Sequence, residues 1–503
     1  MMPVVCEVGV YQPSSAKTSG WTRVLEQEKT PYRKINEPGC PVMVCEGQVP
    51  DRLAEFLQEG GVAIITAARE LTLPFPVRYR GQAVTQLLQF PELNLPDVRI
   101  AGISAVFAGA GFGKITLHEN RVEKGGIRTG HFPAFIQQRV GRGYCLFTGL
   151  PLSELLLSVG DTLRTFSRHS SITERIVTID KAQILRILVW ILRKAFSLLG
   201  LPYVHLCYYP NQAASVFAFR IDVDGTYGEN VTSIAQTARA AELPITFFIN
   251  QSLCLGEQNY LHQIDPANEI GNHGNIHNLF DTKEDNLRNV SEGRAWLQEN
   301  SLPVGPWYAA PRGMWNPELG AALEQLGYLY SSDFGLEIDG LPFFPRVYTQ
   351  RTGVIQIPIH PFSVERAVRY AEENGLNPPS EEEVLSYFTA VARDHLEQEW
   401  PIFFYGHPEH FGKMAKTILF ALKRLADDWN VPNTTLSKYA EWWKRRDALE
   451  IYATHDDDQN ELVINCTLPE DISVRVFASD DLRLSGVRRN NVVQVRTLQM
   501  EAT

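Results

Sequence analysis

The sequence is short of clustered positive charge: 47 Lys and Arg stand against 58 Asp and Glu, for a formal net charge of -11. A polyanion-binding face needs basic residues gathered in one place, so nucleic-acid partners are excluded and neutral or cationic substrates expected. The seven cysteines are scattered, odd in number and without C-x-x-C spacing. They offer neither a disulfide framework nor a thiolate zinc site, and they predict a reduced, cytoplasmic setting. No basic stretch followed by a long apolar run opens the chain, so no signal peptide is expected. The greasiest run, "ILRILVWILRKAFSLLGLP", is interrupted by Arg186, Arg193 and Lys194. Their recurrence near helical spacing predicts an amphipathic helix packed on a domain rather than a membrane span. Internal repeats and low-complexity tracts are absent.

What is present is an ordinary globular composition, 44% hydrophobic and 21% charged, over 503 residues. That length exceeds one compact core and predicts about three domains. Residues 1–170 suggest an α/β open-sheet domain. "PVMVCEG", "VPDRLAEFLQEGG" and "VAIITAA" read as strand, helix, strand, and "GRGYCLFTGLPLSELLLSVGD" as a strand turning into a helix. A helical linker is expected over 171–208 and a small β-rich appendage over 447–503, where Ile472, Val474 and Val476 alternate with Ser473 and Arg475.

"FAGAGFGKI" suggests a phosphate loop only at a glance. Ala108 stands where the first glycine belongs and Ile115 where magnesium needs Ser or Thr. A turn through Gly109, Gly111 and Gly113 is the expected use.

Between 209 and 446 the texture becomes regular. "SVFAFRIDVDG", "ITFFIN", "EIGNHG", "PWYAAPRG", "YLYSSDF", "VIQIPIH" and "PIFFYGHP" read as seven strands separated by helix patterns. "NPELGAALEQLG" carries proline in its first turn and ends in glycine; "SEEEVLSYFTAVARDHL" starts on a capping box. The pattern predicts a distorted (β/α) barrel, whose chemistry gathers at the carboxyl ends of the strands. Those ends offer Asp222 and Asp224, His273 and His277, Arg312, Asp333, His360 and His407.

Residues two apart on a strand share a face, so Asp222 and Asp224 point inward together while Val223 turns to the packed side. One carboxylate with two imidazoles is a facial set for a divalent metal with positions left for water and substrate. The other carboxylate stays free to take a proton. Calcium is disfavoured because no EF-hand spacing of acids follows. Alone, H-x-x-x-H is equally compatible with a surface turn.

These residues resemble the polysaccharide deacetylase family, the NodB-homology fold of carbohydrate esterase family 4, over roughly 209–446. The resemblance implies Asp222 as catalytic base, Asp224, His273 and His277 as metal ligands, and His407 as general acid. It further implies Asp333 as the partner that orients His407, zinc as the metal with cobalt, nickel or manganese as alternatives, and an N-acetylated carbohydrate as substrate. A backbone N–H near Arg312 would join the metal in holding the oxyanion. Three departures stand out: Val223 separates the aspartates, Ala309 and Arg312 replace the family's arginine and tyrosine, and Phe334 stands where tryptophan accompanies the later aspartate. His360, Trp315 and Phe334 are candidate groove residues; His262, His395, His410 and His455 read as surface residues. Two other readings remain: a hydrolase opening cyclic amides or imides, and a catalytically weak glycan-binding or assembly module. The first domain faintly resembles the class I glutamine-amidotransferase-like fold, with Cys45 near its nucleophile turn. Met43 replaces a required glycine, so a non-catalytic domain is expected.

Overall fold

The computed structural model describes residues 3–12, 19–67, 73, 75, 78–95, 97–121, 126–159, 162–163, 176–225, 228–256, 258–456, 458, 461–478, 486–489 and 495–499. Two compact units emerge. One comprises 1–158, 178–212 and 446–503; the other comprises 159–177 and 213–445.

The first unit is built on a nine-stranded mixed sheet. Its parallel part contains Val42–Glu46 and Val62–Thr66, as the strand, helix, strand pattern predicts. The strands Arg78–Gln89, Val98–Ala108, Gly111–Arg121 and Gly126–Val140 extend the same sheet with antiparallel pairing. That half lay outside the expected alternation of strands and helices. Gly109 and Gly111 fall where one of these strands ends at Ala108 and the next begins at Gly111, whereas Gly113 lies inside that second strand.

Two boundary expectations are corrected. The segment expected as a linker holds the helix Lys181–Leu198, whose apolar face is buried, followed by the strand Tyr203–Leu206. The C-terminal strands are not an appendage: Val474–Ala478 pairs with Tyr203–Leu206, and Tyr452–Asp456 pairs with Val4–Val5. Backbone pairing across the whole chain length thus ties both ends into one unit, which local patterning cannot reveal. A buried Arg446 adds to this by donating to the carbonyls of Gln27, Glu28, Leu206 and Cys207.

Cys45 does not stand on a turn. It sits inside the strand Val42–Glu46, fully buried in an apolar cluster, and burial pushes its thiol well up. A thiol in that setting is a small hydrophobe, not a nucleophile.

The second unit is a distorted (β/α) barrel. Its strands are β1 (Phe217–Val223), β2 (Ile245–Ile249), β3 (Glu269–Asn272), β4 (Val304–Tyr308), β5 (Tyr330–Ser331), β6 (Ile355–Gln356) and β7 (Ile402–Gly406). All pairs are parallel, in the order β6-β5-β4-β3-β2-β1-β7. The seam between the outermost strands is narrowed by two backbone bonds, His360 N–H to the Phe403 carbonyl and Val364 N–H to that of Tyr405, both 3.1 Å.

Alternation along β1 separates two environments. Phe217, Phe219, Ile221 and Val223 join the apolar layer beneath the helices. Burying each such side chain contributes about 1.5–3 kcal/mol. Arg220 and Asp222 face the other way, into the barrel, as the two-residue period requires. The predicted helix punctuation is present: Asn316 caps Pro317–Gln325, and Ser380 with Glu383 forms a capping box on Glu381–Glu397.

Candidate active site

The site lies at the carboxyl ends of the barrel strands. Asp224 follows β1, His273 follows β3, and their ligand atoms lie with that of His277 within 4.8 Å of one another. His273 is buried; the side chains of Asp224, His277 and His407 keep 21%, 23% and 22% of their surface, so the cluster opens to solvent.

The tautomer of His273 follows from one contact. Its Nδ1 lies 2.7 Å from the Ala309 carbonyl, which can only accept, so Nδ1 carries the hydrogen and Nε2 presents a lone pair. His277 Nε2 is 3.3 Å from Asp224 Oδ2 and has no hydrogen-bond partner. Burial, with His273 close by, pulls His277 down to about 4, so at neutral pH it is uncharged. The short approach to Asp224 is therefore not an ion pair but a convergence of electron-pair donors. Burial opposes ionisation of Asp224, and the three surrounding imidazoles more than offset it, holding that carboxyl below its ordinary value. Two neutral imidazoles and one carboxylate, aimed together with an orphaned nitrogen among them, are a donor set that fits a divalent cation.

Asp222 divides its two oxygens. Oδ2 accepts from the Arg220 guanidinium at 3.0 Å, while Oδ1 is buried without a hydrogen-bond partner. Arg220 is itself fully buried, donates to the Ser332 carbonyl, and lies 5.4 Å and 5.2 Å from the ring centres of Phe248 and Tyr405. Sequence reasoning missed Arg220, although it sits two residues before Asp222 on the same strand face. Arg312, which stands in the place of the family's tyrosine, is exposed on the turn Pro311–Gly313 in a left-handed conformation.

His407 lies just past β7. Its Nδ1 is 2.6 Å from Glu365 Oε1, its backbone N–H donates to Glu365 Oε2, and its Nε2 is 3.8 Å from Asp224. Burial works against the charged ring, yet the carboxylates of Asp224 and Glu365 outweigh it and hold His407 up to about 9. Glu365 is thus the partner that Asp333 was expected to be. The signal was weak, since nothing in "FSVERA" marks a strand end.

Asp333 serves the other side of the site. Buried, and raised to about 6 by that burial, it accepts the Ala310 N–H at 2.6 Å and the Ser331 hydroxyl. It thereby fixes the Ala309–Ala310 backbone whose carbonyl orients His273.

The expected groove residues are corrected. Trp315 is buried in an apolar cluster with Tyr308, Leu319 and Leu323. Phe334 is buried under the Pro311–Gly313 turn, tilted against Tyr405. His360 belongs to a separate buried cluster with Asp339 and His395. His395 and His455 are buried rather than surface residues, His262 is exposed, and the side chain of His410 lies outside the described residues.

Residues 218–331 match the family model described as polysaccharide deacetylase. That span covers Asp222, Asp224, His273 and His277 and stops short of His407. No curated protein matches the sequence. Among solved structures, a Mycobacterium smegmatis protein described as a polysaccharide deacetylase is 18% identical, covering 47% of this chain and 93% of its own, with a TM-score of 0.42. Agd3, described as a carbohydrate deacetylase, is 12% identical over 94% of this chain and 92% of its own, at 0.39. PuuE allantoinase is 16% identical over 47% and 93%, at 0.38. At these scores the structural likenesses carry no argument about activity. Among the described residues, no helix is long and apolar enough to cross a membrane.

Proposed function

We propose that the protein is a metal-dependent hydrolase that removes N-acetyl groups from a sugar or polysaccharide. The observation that carries this reading is Asp222 Oδ1, buried and unpartnered beside the Asp224, His273 and His277 donor set while Oδ2 is held by Arg220. A binding module has no use for a free buried carboxylate oxygen; a base does.

Asp224, His273 and His277 would hold the cation, zinc first, with cobalt, nickel or manganese as alternatives. When bound, such an ion supplies Lewis acidity toward water and an amide carbonyl. The chain's own residues do the rest. Asp222 Oδ1 accepts the proton of the attacking water. Arg220 keeps the other oxygen fixed through its hydrogen bond. His407, protonated and oriented by Glu365, delivers the Nε2 proton to the departing nitrogen as the carbonyl C–N bond breaks, leaving acetate and a free amine. General acid catalysis of this kind contributes on the order of 10²–10⁴-fold. The scattered, odd number of cysteines supports a reducing, cytoplasmic setting for this reaction.

The experiment is direct: acetate released from N-acetylglucosamine oligomers, measured beside ring opening of small cyclic imides. Acetate release with inert imides supports the deacetylase; the reverse moves the same site to cyclic-amide hydrolysis. Activity on neither, by fully metal-loaded protein, removes the reading.

A further inference from the structure

A second constellation of metal-ligating side chains lies in the barrel unit, apart from the site above. Asp339, His360 and His395 place one ligand atom each within 4.8 Å of one another. His360 Nδ1 is 3.1 Å and His395 Nε2 is 3.2 Å from the same oxygen, Asp339 Oδ1. We propose that these three residues bind a second divalent transition-metal ion, with a structural rather than catalytic role.

His395 Nδ1 is 2.8 Å from the Pro401 carbonyl, so it carries a hydrogen and leaves Nε2 as the ring atom that faces Asp339. Two imidazole nitrogens thus converge on one carboxylate oxygen, a donor set in which a divalent cation can take the place of the ring proton. His360 has its second nitrogen 3.2 Å from the Tyr387 hydroxyl, which fixes the ring plane. Ligating imidazoles are commonly held this way through the nitrogen that does not bind the ion.

The surroundings suit a closed structural site. His360 and His395 are 8% and 3% exposed. The rings of Phe388 and Phe404 pack on His360, and that of Trp400 on His395. An aromatic shell lowers the local dielectric and strengthens the pull of Asp339 on any cation held between it and the two rings. Two imidazoles favour zinc, cobalt or nickel over calcium or magnesium.

Position separates the cluster from the catalytic residues. Phe404 lies in the apolar layer beneath the helices, whereas the next residue, Tyr405, stacks with Arg220 inside the barrel. The cluster therefore sits on the helix side of β7. Its ligands come from three segments: the loop after β5, the stretch after β6, and the helix Glu381–Glu397. Asp339 holds its place in a left-handed conformation, φ 52°, which non-glycine residues adopt only at a cost. An ion here would clamp that loop and helix across the barrel's incomplete seam.

The test is cobalt content of the full-length protein after metal stripping, reloading and gel filtration. With His273→Ala and His277→Ala in place, the chain should retain one cobalt per molecule. Adding the near-isosteric Asp339→Asn and His395→Gln should remove it. In the otherwise wild-type chain, His395→Gln alone should lower the cobalt content by one and abolish part of the thermal stabilisation that cobalt confers. Complete loss of cobalt on changing His273 and His277 alone, or cobalt content indifferent to Asp339 and His395, overturns the second site. Conversely, cobalt lost only through Asp339 and His395 keeps this site and removes the catalytic one.

Discussion

Glu365 Oε1 stands 2.6 Å from His407 Nδ1, and the same carboxylate accepts the His407 backbone N–H through Oε2. One side chain thus sets the ring's plane, its tautomer and its proton affinity. With His407 held up to about 9, its ring is protonated at neutral pH, and turnover should fall as pH rises through about 9 if the ring serves as the proposed general acid. Glu365→Gln removes a negative charge from the ring, so the alkaline limb of the kcat profile should move to lower pH. A limb that stays in place contradicts the pairing. The sign for stability is the same: the folded value lies above the ordinary 6.5, so the pair's contribution is complete below that value and disappears through about 9.

Asp222→Asn should retain bound metal, because Asp224, His273 and His277 remain, while kcat falls by about 10²–10⁴-fold for want of a base. Metal analysis and acetate release on the same sample check both halves. Retained turnover excludes Asp222 as the base.

Arg220→Met leaves the Asp222 carboxylate buried without its counter-charge, a change that destabilises by about 3–5 kcal/mol. Urea unfolding should show that loss. The double variant with Asp222→Asn should recover part of it, since the orphaned charge is gone. Equal stabilities for single and double variants would sink the claim that the two are coupled.

Cys45→Ala should leave hydrolysis unchanged, and Cys45 should resist thiol-labelling reagents in the folded protein. Its burial and raised proton affinity give no accessible thiolate. Rapid labelling, or activity lost with Cys45, contradicts the structural reading of that domain.

The barrel was legible because β1, β2, β4 and β7 are short, largely apolar runs and the chemistry falls at run ends. The two-residue period assigned Asp222 and Asp224 inward and Val223 outward, and the structure keeps that division. What was not legible depends on contacts between distant segments. Glu365 reaches His407 from 42 residues away, and Arg220 reads as an ordinary strand cation until its neighbours are known. His395 follows a helical period that places it as easily outside as inside; only Phe404 and Pro401 decide. In the first unit a smaller sheet pairs Val4–Val5 with Tyr452–Asp456, and no local pattern announces such a pairing.

The account rests on an ion at Asp224, His273 and His277 enabling Asp222 and His407 to act on an N-acetyl group. The most direct measurement is acetate release from an N-acetylglucosamine oligomer by one preparation before chelation, after it, and after zinc is returned. Release that stops on chelation, resumes with zinc, and does not resume in His273→Ala is the predicted result. Acetate released at an undiminished rate by metal-free protein would contradict it.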